Sequence, residues 1–342
     1  MIEVELLKTE DEDQYSEFLD KCEYSMAQHT LGWRSVIESI TRDKSYYFVA
    51  KENGDLVGVL STFIKENALG NIMNSIPFAG GYGGVVTISN IKREKKEKIY
   101  KALIQEMICF AKNKQCVLVT ITTPPFSRDI NLYKVIFKPD YILENFMQYI
   151  DLNINLNYNR NVRKHIKKAI NKEVYIKEDI QNRDIEQFYK IYKNNVSFLN
   201  AKLIPISFFK RVNAYLNTNT KFLFAEYNGQ LISGILLIFF NKIVDYFISS
   251  NDVNYKSFQA NSLLIDYAIN WAKKNGFKYW NWQSSPSRES GVYRFKAQWG
   301  SLDGEHYYLT KVLGDLTALK KCSVEQIKRE YEWYYVIPYN QL

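Results

Sequence analysis

One short stretch of this sequence is written twice. Ala50-Lys51-Glu52-Asn53-Gly54-Asp55-Leu56-Val57, followed by Gly58, returns as Ala225-Glu226-Tyr227-Asn228-Gly229-Gln230-Leu231-Ile232 ahead of Gly234. Each Asn-Gly pair sits between strand-like runs, Tyr46 to Ala50 with Leu56 to Ile64 and Lys221 to Tyr227 with Leu231 to Phe240. Asn-Gly supplies the two positive-φ residues of a type I′ turn, so both stretches are expected to be β-hairpins. Asn53 and Asn228 lie about half of the 342-residue chain apart. Two hairpins at that spacing suggest a duplicated unit, the alternative being a chance likeness.

Length and composition permit two units. The chain is longer than the roughly 250–300 residues at which one core stops growing, so two domains are the default. An apolar share of 46%, with 15% aromatic, fills two cores and argues against disorder. The best boundary is the Asn-rich join Asn153 to Asn159, which divides the chain into domains 1–155 and 156–342. The longest apolar run, Leu231 to Phe240, is half of what a bilayer needs and reads as a buried strand. Met1-Ile2-Glu3-Val4-Glu5 lacks the basic start and apolar stretch of a signal peptide, so a cytoplasmic protein is expected. Cys22, Cys109, Cys116 and Cys322 form no CxxC pair, and only three histidines could join them. Neither a metal site nor a disulfide framework is expected.

Each hairpin is preceded by helices and followed by a long one. Asp11 to Asp20 and Leu31 to Ser39 read as helices before the first hairpin, and Ile91 to Asn113 carries Ile99, Leu103, Met107, Phe110 and Ala111 at helical spacing after it. In the second half, helices near Arg183 to Asn194 and Ile206 to Leu216 precede the hairpin. Ala260 to Lys274 follows as a helix ended by Asn275-Gly276. Strands are expected at Cys116 to Thr122, Tyr149 to Leu152, Val244 to Ser249 and Phe277 to Trp282.

A basic helix follows the join. Arg160, Arg163, Lys164, Lys167, Lys168 and Lys172 occupy one side, and Val162, Ile166, Ala169 and Ile170 the other, in a chain of net charge +8. Such a stripe suits a phosphate-bearing partner: a nucleotide-linked or lipid-linked substrate, a transfer RNA or an anionic membrane face. A solvated helix face is the plain alternative. The segment Gly80-Gly81-Tyr82-Gly83-Gly84 lacks GxGxxG and a following Lys-Ser or Lys-Thr, so it is no phosphate loop. Its glycines let backbone approach a ligand or a neighbouring strand closely, with Tyr82 expected to project into a cleft.

The stretch that carries most chemistry is Ser284-Ser285-Pro286-Ser287-Arg288-Glu289-Ser290-Gly291-Val292-Tyr293-Arg294-Phe295-Lys296-Ala297-Gln298-Trp299-Gly300. It resembles the Fem family of aminoacyltransferases and related acyltransferases, whose C-terminal half carries a strand, a serine, a Gly-containing loop and a Y-x-FK-x-x-WG run. Weaker likeness extends to His29 and Trp33, Pro77-Phe78 with the glycine segment, Arg160 and Arg163, and Phe188-Tyr189. The resemblance implies two tandem GNAT-like α/β domains, each a central, mainly antiparallel twisted sheet flanked by helices. It implies Phe295 and Lys296 as the catalytic pair, the lysine polarising an acyl carbonyl or holding a substrate phosphate. Ser285, Tyr293, Arg294, Arg160 and Arg163 are expected toward substrate, and Trp33, Tyr82 and Tyr293 as platforms for a sugar or nucleotide ring, with burial in a core as the plain alternative for an aromatic in this Tyr-rich chain.

The expected activity is therefore transfer of an acyl or aminoacyl group to an amine of a cell-envelope sugar precursor, nucleotide-linked or lipid-linked. With three histidines and no Ser-His-Asp or Cys-His pattern, direct attack by the amine is expected rather than a covalent intermediate. No tightly bound cofactor is expected; acyl-CoA or aminoacyl-tRNA would be the donor. Two departures leave that choice open. Phe258-Gln259-Ala260-Asn261-Ser262 stands where ordinary GNAT enzymes carry their CoA loop, and only about ten residues separate the basic helix from Asp184, where Fem enzymes insert a two-helix arm for transfer RNA. Peripheral contact at the inner membrane face, without a transmembrane segment, completes the expectation. A different class remains open: a non-catalytic glycan-binding or phospholigand-binding protein on a degenerate GNAT pair.

Overall fold

The computed structural model describes residues 1–342 apart from 78–80, 179, 199–201 and 339–342. Phe78 and Gly80 of the motifs above lie outside the described residues. The chain begins β1 (Ile2–Leu6), α1 (Glu12–Asp20), α2 (Leu31–Thr41), β2 (Lys44–Glu52), β3 (Asp55–Lys65), β4 (Asn71–Asn74), β5 (Val85–Thr87), α3 (Arg93–Asn113), β6 (Cys116–Thr122) and α4 (Ile130–Ile136). It continues β7 (Tyr141–Asp151), α5 (Arg160–Asn171), β8 (Tyr175–Lys177), α6 (Asn182–Phe198), α7 (Ile206–Tyr215), β9 (Thr220–Tyr227), β10 (Gln230–Phe240), β11 (Ile243–Asn251), α8 (Ala260–Lys274), β12 (Tyr279–Ser284) and α9 (Gly291–Ala297). β13 (Leu302–Val312) follows, then α10 (Thr317–Lys320) and α11 (Val324–Glu330).

Both Asn-Gly pairs close hairpins, as the repeat predicts. Asn53 and Gly54 have φ of 54° and 87°, Asn228 and Gly229 of 49° and 73°, the left-handed values that a type I′ turn requires. The likeness goes further than the turn. In the first hairpin Ala50 pairs with Gly58 and Lys51 with Leu56, so Val57 is extruded. In the second Ala225 pairs with Ser233 and Glu226 with Leu231, so Ile232 is extruded. A β-bulge four residues after the turn asparagine thus recurs in both copies.

The elements gather into two compact units, Met1–Asn145 with Glu305–Leu342, and Phe146–Gly304. In the first unit the strands neighbour one another in the order β1-β2-β3-β4-β6-β13, with β5 added on β3. In the second the order is β8-β9-β10-β11-β12-β7. The strand senses match position by position: all neighbours are antiparallel except β4 with β6 and β11 with β12. Each parallel pair is joined by one long helix, α3 or α8, because parallel strands need a crossover. The first unit's core lies under α3, where Ile99, Leu103, Ile104 and Met107 are fully buried; the second lies under α8, with Leu264, Ile265 and Ile269. Each such side chain contributes roughly 1.5–3 kcal/mol of transfer free energy.

The expected cut between residues 155 and 156 does not follow these units. The first unit takes its last strand from far along the chain, since Tyr308 to Val312 of β13 pair with Thr122 to Leu118 of β6. The polar join is no linker either. Asn159 donates its N–H to the Gln298 carbonyl at 2.9 Å, and the Tyr158 ring meets Trp299 edge-on at 4.9 Å. The join is largely exposed, but Leu156, Tyr158 and Asn159 fasten it to the second unit.

Candidate functional site

In an open α/β sheet ligands gather where adjacent parallel strands end and their connections part. The two units treat that place differently. In the second unit the ladder of β11 and β12 spans only Ile243–Asp245 against Tyr279–Asn281. Its end is marked by a buried pair, Asn281 Nδ2 donating to Asp245 Oδ1 at 2.6 Å. Beyond it β11 runs on to Asn251, and β12 turns away through Gln283, whose φ is 63°. The Gln283 N–H is held by Asn281 Oδ1 at 3.1 Å.

Lys296 anchors the far side of this opening. Ser290 caps α9 by accepting from the Tyr293 N–H at 3.1 Å, and two turns later Lys296 points back at the end of β12. Its ammonium donates to the Gln283 carbonyl at 3.0 Å, the Ser284 carbonyl at 2.7 Å and Ser285 Oγ at 3.0 Å. Those three bonds use every proton an ammonium has. Only 5% of the residue is exposed, and burial pulls its pKa down from the ordinary 10.5 to about 8. Ser285 in turn donates to Gln148 Oε1 at 3.4 Å, while the buried Gln148 Nε2 has no hydrogen-bond partner among the described residues. Phe295 is half-buried, its ring 6.2 Å from Trp282 and 6.3 Å from Trp299, which fixes the register of the lysine beside it. Tyr293 is tied outward to both carboxylate oxygens of Asp303 at 2.9 Å, and that bond raises its pKa. Arg294 is exposed on the same helix.

A cavity of about 750 Å³ lies against the far half of β11, walled by α6 and lined among others by Tyr192, Asn195, Phe198, Phe247, Asn251 and Asn254. Phe247 stacks on Phe208 at 5.7 Å. Asn195 ties α6 to β11 through Ser250 Oγ at 2.6 Å and the Asn251 carbonyl at 2.7 Å. Flat ring faces beside neutral amides are the chemistry that holds an uncharged polyhydroxylated ring.

The corresponding place in the first unit is stitched shut. β4 and β6 pair up to Asn74 with Thr120. Then the Ser75 N–H donates to Thr120 O at 2.8 Å, the Thr122 N–H to Ser75 Oγ at 2.9 Å, and the Gly83 N–H to Thr122 O at 3.0 Å. A Cβ on Gly83 would stand 2.3 Å from Ser75 Oγ. The glycine segment therefore serves close approach to a neighbouring strand, one of the two uses expected of it. Tyr82 is fully buried, its ring against His306 at 5.1 Å. Trp33 is fully buried too. Neither presents an open ring face, which corrects their expected role as platforms: the residues that pack around them take the space a ligand ring would need. His29 accepts from the Met26 N–H through Nδ1 at 3.0 Å and faces the Gly83 carbonyl through Nε2 at 3.4 Å. Burial lowers His29 and His306 to about 4, so both are neutral.

Arg160 and Arg163 are exposed on α5, which Asn159 caps by accepting from the Val162 N–H at 3.0 Å. At the N-terminus of α8, Gln259 takes a left-handed φ of 62° and Asn261 bonds to the Tyr246 hydroxyl at 3.2 Å. Among the described residues no three His, Cys, Asp or Glu gather as a metal site, and no helix is long and apolar enough to cross a membrane. Sequence reasoning missed Gln148, the Asp245–Asn281 pair and Ser75. No local pattern distinguishes a buried amide or serine from a surface one.

The FemAB family model matches residues 206–303 and the acetyltransferase (GNAT) family model residues 5–136. Among solved structures, FemX aligns with a TM-score of 0.72 at 13% identity over 90% of this chain and 97% of its own. L-PGS from Bacillus licheniformis aligns with a TM-score of 0.60 at 11% identity over 95% and 96%. A tandem GNAT protein from the clavulanic acid biosynthesis pathway aligns at 0.55 and 11% over 92% and 99%. Comparison with curated protein sequences finds no match.

Proposed function

We propose that the second unit, matched by the FemAB family model over residues 206–303 in a chain whose residues 5–136 match the acetyltransferase (GNAT) model, transfers an acyl or aminoacyl group to the amine of a cell-envelope sugar precursor carrying a nucleotide or lipid phosphate. The observation that carries this reading is the contrast between the two parallel strand pairs. The second unit's pair parts at Asp245 and Asn281 beside a buried cation. The first unit's pair is closed by Ser75 and Gly83.

In this reading the amine nitrogen attacks the carbonyl carbon of the donor. A new C–N bond forms as the C–S bond of an acyl thioester, or the C–O bond of an aminoacyl ester, breaks; the sulfur or oxygen leaves with the bonding pair and takes up the proton that the amine loses, so a free thiol or hydroxyl is released. Lys296 stabilises the charge that develops on the carbonyl oxygen. Two of its acceptors are backbone carbonyls fixed in place, whereas Ser285 Oγ can rotate toward Gln148. The substrate oxygen takes the position that this hydroxyl gives up. The α6–β11 cavity holds the sugar ring, Arg160 and Arg163 meet the phosphate, and Tyr293 and Arg294 line the approach along α9.

A binding protein without turnover is the second reading, and the saturation of Lys296 by three protein acceptors favours it. Transfer assays by mass detection, pairing panels of acyl-CoA and aminoacyl-tRNA donors with nucleotide-linked and lipid-linked amino sugars, decide between them. An acceptor gaining the mass of one acyl or aminoacyl group supports the enzyme. Sugar-precursor binding with no mass gain for any donor supports the binding protein.

A further inference from the structure

Most of the excess positive charge of the molecule falls on one helix face. Of 45 Lys and Arg against 37 acidic residues, the six at Arg160, Arg163, Lys164, Lys167, Lys168 and Lys172 belong to α5 and its C-cap. Without them the chain is close to balance. No acidic residue occurs between Asp151 and Glu173. All six cations are exposed, while Val162 and Ala169 are buried on the opposite side against the core of the second unit. The ion pairs nearest in sequence, Lys177 with Asp184 and Lys221 with Glu178, involve none of them. Like charges three and four residues apart destabilise a helix, and a face selected only for solubility would interleave glutamates. Ile170, which the spacing assigns to the apolar side, is instead 58% exposed at the margin of the basic face, three residues after Lys167 and seven after Arg163.

We propose that this face of α5 docks the protein on an anionic membrane surface, with the lysines against lipid phosphates and Ile170 at the level of the glycerol backbone. Four of the six cations are lysines, compact charges suited to a diffuse anionic layer. Of the helix's own side chains only His165, partly buried, is a ring on which a nucleobase could stack, and the exposed isoleucine finds an apolar partner in lipid. The apolar side of α5 is already used in the core. Docking is therefore electrostatic and reversible, without deep insertion. It does not depend on the transfer reaction.

Flotation of the full chain with vesicles of phosphatidylcholine alone, or with about one-third phosphatidylglycerol, tests this. Binding is expected only with the anionic lipid, and it is expected to fall steeply between about 0.1 M and 0.5 M salt. Each lysine at the surface is worth about fivefold in partitioning, so replacing Lys164, Lys167, Lys168 and Lys172 by Gln should lower it by at least about 50-fold after screening. Melting curves report whether that variant is folded. Ile170→Trp supplies a second readout, a blue-shifted emission on anionic vesicles alone. Four exposed lysines of the first unit, Lys21, Lys98, Lys101 and Lys112, changed to Gln provide the control for net charge. Equal binding to neutral vesicles, an unchanged partition of the α5 variant, or an equal loss in the control would overturn the proposal. So would α5-dependent binding of transfer RNA that is tighter than vesicle binding at the same salt.

Discussion

Replacing Lys296 by Met keeps the length of the side chain and removes the charge. The buried ammonium has its pKa lowered from 10.5 to about 8, and each unit is worth about 1.36 kcal/mol. Holding the charge in the fold at neutral pH thus costs about 3 kcal/mol relative to water. Against that stand three charge-assisted hydrogen bonds, to two backbone carbonyls and Ser285 Oγ, whose acceptors the variant leaves without their donor at about 1–3 kcal/mol each. The two terms meet only at the low end of that range, so Lys296→Met should destabilise the fold at about pH 7, by no more than about 6 kcal/mol. The pH dependence is sharper. A lysine whose pKa is lower in the fold than in the unfolded chain leaves the unfolded chain holding more protons between about pH 8 and 10.5, so its contribution to stability rises across that window. Urea unfolding of wild type and variant at about pH 7 and pH 10 should show the wild type gaining about 2–3 kcal/mol on the variant, other groups cancelling. Transfer by the wild type should fall as pH rises through about 8, where the ammonium is lost. Lys296→Met should lower kcat by about 100-fold with a smaller effect on KM, as for loss of one charge-stabilising donor. A pH-independent stability difference would refute the buried-cation argument, and full activity of the variant would remove the lysine from the mechanism.

Three further outcomes are expected. Arg160→Gln with Arg163→Gln should raise KM for a phosphate-bearing acceptor and flatten its salt dependence while leaving Tm nearly unchanged, since both side chains are exposed; an unmoved KM would return them to a solvated face. Gly54→Ala and Gly229→Ala should each cost about 1 kcal/mol, because φ is 87° and 73° with nothing within 4 Å of the added carbon; unequal losses in thermal melts would show that the two turns differ in strain. Gly83→Ala should cost several times more, as its Cβ would lie 2.3 Å from Ser75 Oγ and 2.7 Å from Ser75 Cβ. A melting temperature equal to wild type would mean that the first unit's strand pair is not held shut as described.

The sequence alone determined what is local. Asn-Gly between alternating runs specifies a hairpin within a dozen residues, helical spacing identifies α3 and α8, and six cations opposite Val162 and Ala169 define the two sides of α5. The Tyr293 to Gly300 run was legible for the same reason, being contiguous. Tertiary structure decided whatever depends on pairing between distant residues. β13 completes the first unit's sheet through partners almost two hundred residues earlier, so no composition shift near Asn153 could place the boundary. Ser75 and Gly83 close one strand pair, while Asp245 and Asn281 end the other, although the two hairpins leading to them are near copies. Burial took Trp33 and Tyr82 out of reach and drew Lys296 in, because the environment of a side chain is set by the elements packed over it, and these come from several parts of the chain. Periodicity tells which side of an element faces a core; it does not tell what that core leaves open.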